Sequence, residues 1–360
     1  MSLRLVERPQ AASSAPVCLR ARTLAGWLVV TAALVATLAS PEPARTAFAA
    51  DAACTPNGTS VVPTKGTQLF DASADGRVIA TLTGASLPIT LSDLPADPST
   101  GRAKVATKAG SAALRIDGWA PSSSFPTYAA SDLEVVKGRV WIASSQKVKL
   151  TGSASGKLDV ELTVAGSNSQ VVKAKADCAG VTLTQGTATK LDVAGNARGY
   201  QTKGSKMSLY DEPGKSVVFT LDMMPNTSQL FYSAETRGGF VRVQSRADIV
   251  LDGWLALKEL DALKKGELVD ALAPAQTVVT GAKLSLDGTV LTKKASKDVP
   301  VRATRDEKAA AIGQLDSGAE VYVTETVTGW SNVLPIHLGF TAPDGQGFWV
   351  PSADLAAVAP

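Results

Sequence analysis

After residue 60 the chain is written in short runs of alternating apolar and polar residues. KLDVELTV (157–164) sets Leu158, Val160, Leu162 and Val164 against polar partners, and EVYVTETV (320–327) does the same. A period of two is that of a half-buried β-strand. Clusters of Gly, Ser, Asn and Pro punctuate these runs every eight to twelve residues, as in TGSASG (151–156) and AGSNSQ (165–170), which marks turns between strands. One stretch departs from the pattern. WLALKELDALKKGELVDALA (254–273) spaces its leucines at i, i+3 and i+4 and is interrupted by Gly266, so it predicts one or two short helical turns. The fold class expected is all-β.

One phrase occurs three times: LRIDGWAPSSSF (114–125), IVLDGWLALKEL (249–260) and, more loosely, GQGFWVPSADL (345–355). Read backwards from each tryptophan, Leu69-Phe70-Asp71, Leu209-Tyr210-Asp211 and Val301-Arg302-Ala303 open three units. A polar loop and an apolar return to Leu82, Leu221 and Leu315 follow. The opening residue to that leucine is 13, 12 and 14 positions, and the leucine to the tryptophan 37, 33 and 34. Length differences fall in loops, where they cost little. The chain therefore reads as an internal repeat of about sixty residues, the size of a small closed or nearly closed barrel.

The unit ending at Trp349 resembles a bacterial SH3 (SH3b) domain. Val301 and Arg302 stand at the family's opening Val-x-Val-Arg, Gly313, Leu315 and Gly318 at its Gly-x-Leu-x-x-Gly turn, and Gly329, Trp330 and Val333 at its Gly-Trp-x-x-Val strand. Trp349 and Leu355 close it. Two departures are visible: LPIHLGFTAPDGQ (334–346) is inserted before the last strand, and Phe348 separates Gly347 from Trp349. The resemblance covers about sixty residues and implies tandem small SH3-like barrels. The expected organisation is a signal peptide (1–49), an N-terminal linker (50–65), SH3-like units at 66–125 and 201–260, a connector (261–297) and an SH3b-like unit at 298–360. Residues 126–200 are either a degenerate fourth unit, with Gly180-Val181 where Gly-Trp is expected, or strands that pair with a neighbouring unit.

The first 49 residues differ in kind. Four arginines precede a 16-residue uncharged apolar run (Leu24 to Ala39), and Ala47 and Ala49 fit a cleavage site before Ala50. That is the pattern of a secretory leader, with an uncleaved anchor as the alternative and as the one route to a membrane. Residues 1–49 hold five Arg and two Glu; taking them from 36 basic and 33 acidic residues leaves 31 of each sign. A neutral chain without a clustered basic face argues against nucleic-acid binding. Cys18 lies in the leader, so Cys54 and Cys178 remain. In an oxidising compartment they are read as one bridge, the alternative being a buried thiol at Cys178 and an idle one at Cys54. An exported protein of the bacterial cell envelope, periplasm or exterior is expected.

Candidate chemistry is sparse. Beyond the leader His337 is the one histidine, no Cys-x-x-Cys or His-x-x-x-His spacing occurs, and GSASG has alanine where a Gly-x-Ser-x-Gly nucleophile would stand. No metal, cofactor or catalytic residue is assigned, and no enzyme is expected. The function expected is a non-catalytic envelope binding or scaffolding protein that recognises a cell-wall peptide (a peptidoglycan stem) or an envelope protein; the alternative is a carboxylate-dependent carbohydrate hydrolase or its accessory subunit. SH3-type grooves bind extended peptides between aromatic walls, which selects Tyr322, Trp330, Phe340, Phe348, Tyr232 and Phe240 as groove candidates, against the alternative that they fill small cores. Trp119, Trp254 and Trp349 are assigned to the cores, each packing beside the apolar residue six positions on (Phe125, Leu260, Leu355).

Overall fold

The structure, a computed structural model, describes residues 54–109, 114–225, 227, 229–264 and 291–358. The leader and residues 265–273 of the expected helical stretch lie outside them. The described elements are β-strands and single-turn 3-10 helices, with strands paired antiparallel in three sheets. The described part of 254–273 holds one 3-10 turn and no α-helix. Ile249–Ala256 is a strand, Leu257–Glu259 a 3-10 turn and Leu260–Ala262 a strand. Leu251 and Leu255 are buried on the core face while Leu257 is exposed. The helix-like leucine spacing arises because a strand alternation runs straight into a tight turn.

The same order of pairings recurs in four segments, 57–125 (I), 127–182 (II), 198–262 (III) and 291–357 (IV). In segment IV, Leu291–Ala295 pairs with Glu320–Val327, which pairs with Trp330–Pro335, which pairs with Phe348–Pro351. Val299–Arg302 pairs with Ala311–Leu315 and touches Phe348–Pro351 at Arg302–Trp349, and Leu355–Ala357 returns beside the first strand. Segment III repeats every one of these pairings, with Tyr210–Trp254 in the place of Arg302–Trp349. Segment I places Phe70–Trp119 there. Segments I and IV open one strand ahead of the boundaries drawn from sequence, and the first strand of segment III straddles its boundary at residue 201. Segment II, the degenerate stretch, carries the same ladder apart from the crossing contact: Leu133–Val136 pairs with Val140–Ile142 in the sheet of segment III, while Val171–Asp177 belongs to another sheet. Its Val181 follows a 3-10 turn as Leu355 does, so Gly180-Val181 does not stand at the Gly-Trp position; Lys175 does, six residues before Val181.

No sheet among the described residues closes on itself, so of the closed or nearly closed barrels expected the closed form is not found. The reason lies in the strands that carry the repeated phrase. Leu114–Pro121 bonds with its first half to segment IV (Leu114–Leu315, Arg115–Gln314, Ile116–Gly313) and with its second half to Phe70 of its own segment. Ile249–Ala256 does the same, taking Val140–Ile142 of segment II along Ile249–Leu251 and Tyr210 at Trp254. The strand edge that would complete a barrel is spent on a neighbour.

Both pairs of segments are also joined a second time, in the reverse direction. Phe340–Thr341, inside the insertion of segment IV, pairs with Leu82 and Thr81 of segment I. In segment II the corresponding loop bridges Ser167 to Met223, and Gln170 donates to the Thr220 carbonyl (2.7 Å) while accepting from the Asp222 amide (3.0 Å). Segments I and IV consequently share one buried apolar cluster, and segments II and III another. A disulfide joins Cys54, ahead of segment I, to Cys178 in the 3-10 turn of segment II.

The change of partner explains the glycine in the phrase. At Gly118 an added Cβ would lie 3.0 Å from the Phe70 carbonyl oxygen; at Gly253 it would lie 2.8 Å from Leu209 Cγ and 3.1 Å from the Tyr210 carbonyl oxygen. The crossing strand passes too close for any side chain. Gly253→Ala is therefore expected to lower stability by about 1–3 kcal/mol, read from the midpoint of urea unfolding. Gly204→Ala, at an exposed position with open space around the added carbon, should leave the midpoint unchanged.

The bridge closes a sequence separation of 124 residues, for which unfolded-chain entropy gives at most about 4–5 kcal/mol. Cys54→Ser with Cys178→Ser should lower the unfolding midpoint, and reductant should lower the wild-type midpoint to match. A midpoint insensitive to both changes would show that the bridge contributes nothing.

Candidate functional site

Strict alternation puts the three phrase tryptophans on the side of their strands away from the core. In Leu114–Pro121 the buried set is Leu114, Ile116, Gly118 and Ala120, while Arg115, Asp117, Trp119 and Pro121 face the other way. Trp254 shares its face with Val250 and Asp252, opposite Leu251, Gly253 and Leu255. Trp349 lies between the core residues Phe348 and Val350. None of the three tryptophans belongs to either apolar cluster, although Trp254 and Trp349 are among the buried hydrophobic residues. Trp119 is half-buried, and Trp254 and Trp349 are each 8% exposed, covered by neighbours on that outer face.

Register identifies the neighbours. Across from the tryptophan on one side stand Phe70, Tyr210 and Arg302 in segments I, III and IV. On the other side stand Lys104, Arg242 and Asn332. Two residues before these, and on the same face, come Arg102, Phe240 and Trp330. Segment III thus assembles Tyr210, Phe240 and Trp254, with the Tyr210 and Phe240 rings edge-to-face at 5.3 Å. In segment I the Arg102 guanidinium lies 3.5 Å above the centre of the Phe70 ring. In segment IV Trp330 and Trp349 share the face, and the Arg305 guanidinium sits 5.1 Å from the Trp349 ring.

Segment II has no such surface. Lys157–Asp177, Asp159–Lys175 and Glu161–Lys173 are directly paired across its strands, the last two with ion pairs of 2.7 and 2.6 Å and the first with a hydrogen-bonded ion pair. The Glu161 carboxylate accepts a hydrogen bond from Lys173 and holds its ammonium above the usual lysine pKa. These are exposed pairs, each contributing little to stability; they give a polar sheet face where the other segments have an aromatic one.

The six groove candidates divide. Phe340 and Phe348 are fully buried, edge-to-face at 5.7 Å in the cluster shared by segments I and IV. They are core residues, because the inserted strand carries Phe340 into the seam between the two segments. Trp330 and Phe240 occupy one equivalent outer position. Tyr322 and Tyr232 occupy another, both half-buried and opposite Leu334 and Gln244. Tyr232 also lines a depression of about 180 Å³ with Ser233, Glu235, Arg242 and Gln244, walled by Val193, Ala194 and Ala197. His337 is exposed. Among the described residues no group of three or more His, Cys, Asp or Glu could hold a metal ion.

Phe70 and Tyr210 are noted in the sequence among the aromatics of their units but not selected for the groove, Arg302 only as part of an opening motif, and Arg102, Arg242 and Arg305 are passed over. The signal for the first two was present: each follows a leucine that alternation buries. The phrase tryptophans were also legible as outward-facing, since Trp119 is an odd number of residues from Ile116.

Fold and site together define an all-β protein of antiparallel sheets with aromatic outer faces. No protein-family model matches the chain, and no curated protein matches it. Among solved structures, NlpC1 and NlpC2 from Trichomonas vaginalis are similar at 7% and 8% identity, each with a TM-score of 0.16. The alignments cover 48% and 46% of this chain and 49% and 50% of theirs, so the chain spans about half the length of either. Likeness at that score carries no argument about fold or activity.

The outward placement of Trp119 has a measurable consequence. Ile116→Ala, fully buried, should cost about 2–5 kcal/mol. Trp119→Ala should cost less, despite removing more atoms, and a larger loss at Trp119 would return it to the core.

Proposed function

We propose that this chain is a non-catalytic binding or scaffolding protein of the bacterial cell envelope, built from four SH3-like repeats, of which three present peptide-binding faces. The observation that carries this reading is the recurrence of an aromatic outer face at one register position. Three segments keep a tryptophan there, flanked by Phe70 or Tyr210 and by Phe240 or Trp330. Segment II, which lacks the crossing pair at this position, carries Lys175 there instead. Aromatic rings on a sheet face are how SH3-type modules hold extended peptides, and large rings supply contact area at small entropic cost. The SH3b resemblance of residues 298–360 supports peptidoglycan stem peptide as the ligand. The leader-like N-terminus and the disulfide support export to an oxidising compartment.

The test is sedimentation of exported protein with purified peptidoglycan. Co-sedimentation that soluble stem peptide competes away is expected, and Trp254→Ala combined with Trp119→Ala should weaken it at least about tenfold, the size of a hot-spot loss. Failure to sediment, or the release of reducing sugars from the polymer, would overturn the proposal.

A further inference from the structure

We propose that segments I and IV carry carboxylate-binding sites and that the peptide recognised there is acidic; this rests on the peptide-binding reading of the aromatic faces. The argument is a contrast among the three faces in what their cations do. In segment III Arg242 stands beside Trp254 and is already engaged. Its Nε and Nη2 donate to the two oxygens of Asp252 at 3.0 and 3.2 Å, and Glu235 lies 3.8 Å away. The hydrogen bond to Asp252 holds its guanidinium above even the usual arginine pKa. Segment III has neutralised the cation beside its tryptophan.

Segments I and IV have not. Arg102 rests on the Phe70 ring and gives Nη1 to the Ala72 carbonyl at 3.3 Å. Lys104, directly opposite Trp119, is exposed. Neither forms an ion pair with a described residue. Two acids lie near this ring: Asp71 is held by the Arg77 backbone amide (2.7 Å) and Nε (3.1 Å), and Asp117, on the face of Trp119, is ion-paired with Arg115 (3.3 Å). In segment IV Arg302 donates to the Ala309 carbonyl and Arg305 lies over Trp349, again without an ion pair to a described residue. Asp306, next in sequence, caps the Lys308 amide at 2.8 Å.

A guanidinium laid on an aromatic ring has its plane fixed by that contact. Its edge donors then point outward in the fork that a carboxylate accepts in a bidentate manner. The ring supplies the surface for the peptide and the arginine the charge complement. The sites should therefore discriminate between an acid and its amide of the same shape.

The test titrates the full exported chain, followed by tryptophan fluorescence, with acetyl-Ala-Glu-Ala-Glu-Ala-amide and its Gln isostere. The acidic peptide should bind at least about tenfold tighter, as expected for charge-assisted against neutral hydrogen bonds, and the gap should narrow as salt is raised. Arg102→Gln with Arg305→Gln should abolish the preference, whereas Lys173→Gln, which removes like charge from segment II, should not. Arg102→Lys, checked by its melting curve, keeps the charge but not the fork and should retain only part of it. Equal binding of the two peptides, or an undiminished preference in the double arginine variant, would overturn the proposal. So would displacement of the peptide by inorganic phosphate with no preference for Glu over Gln. With equal binding, retained co-sedimentation on peptidoglycan leaves the parent reading standing; loss of both removes it as well.

Discussion

A strand that changes partner halfway along its length organises this protein. Leu114–Pro121 and Ile249–Ala256 each bond first to a strand from another segment and then, past an Asp-Gly step, to a strand of their own. A segment of about sixty residues buries too little surface to be comfortably stable alone. Joining segments edge to edge lets two of them share one core. The shared clusters make this visible: Leu82, Leu114 and Ile116 of segment I lie in one cluster with Leu315, Phe340 and Phe348 of segment IV.

The pairing is nested. Segments I and IV, the two ends of the described chain, pair with each other, and segments II and III pair between them. Within one pair the segment that offers its long strand comes first in sequence, and in the other it comes second. The contacts are otherwise equivalent, down to the return of a loop from segment IV to Leu82 and from segment II to Met223. Segments I and II are also tied together, by the disulfide and by Leu183, which follows segment II yet packs in the core of segments I and IV and donates its amide to the Asn57 carbonyl.

The same strand that joins the segments also displays the candidate site. Alternation forces the division: glycine faces inward, where Leu69 or Leu209 crosses within about van der Waals reach, and the next residue faces outward. Aromatic faces in segments I, III and IV are held on paired strands rather than on loops, so the spacing of their side chains is set by the ladder. The arginines are the variable element. Asp252 silences one, while Arg102 and Arg305 lie on rings with their charge uncompensated by any described carboxylate.

What the sequence by itself determined was local. Alternating runs and turn clusters specified strands, and the spacing of Leu69, Leu209 and Val301 from their tryptophans aligned three segments in the register that the strands adopt. Period-two patterning reports which residues share a face, because the pleat imposes it. Which edge a strand pairs with leaves no such mark, since ladder hydrogen bonds are made by backbone that every residue carries. The tertiary structure alone decided that Leu114-Arg115-Ile116 bonds to segment IV, that the insertion bearing Phe340 returns to segment I, and that the sheets stay open. It also sent Phe340 and Phe348 inward. Aromatic residues serve a core and a surface equally well, and only packing against a particular neighbour distinguishes the two.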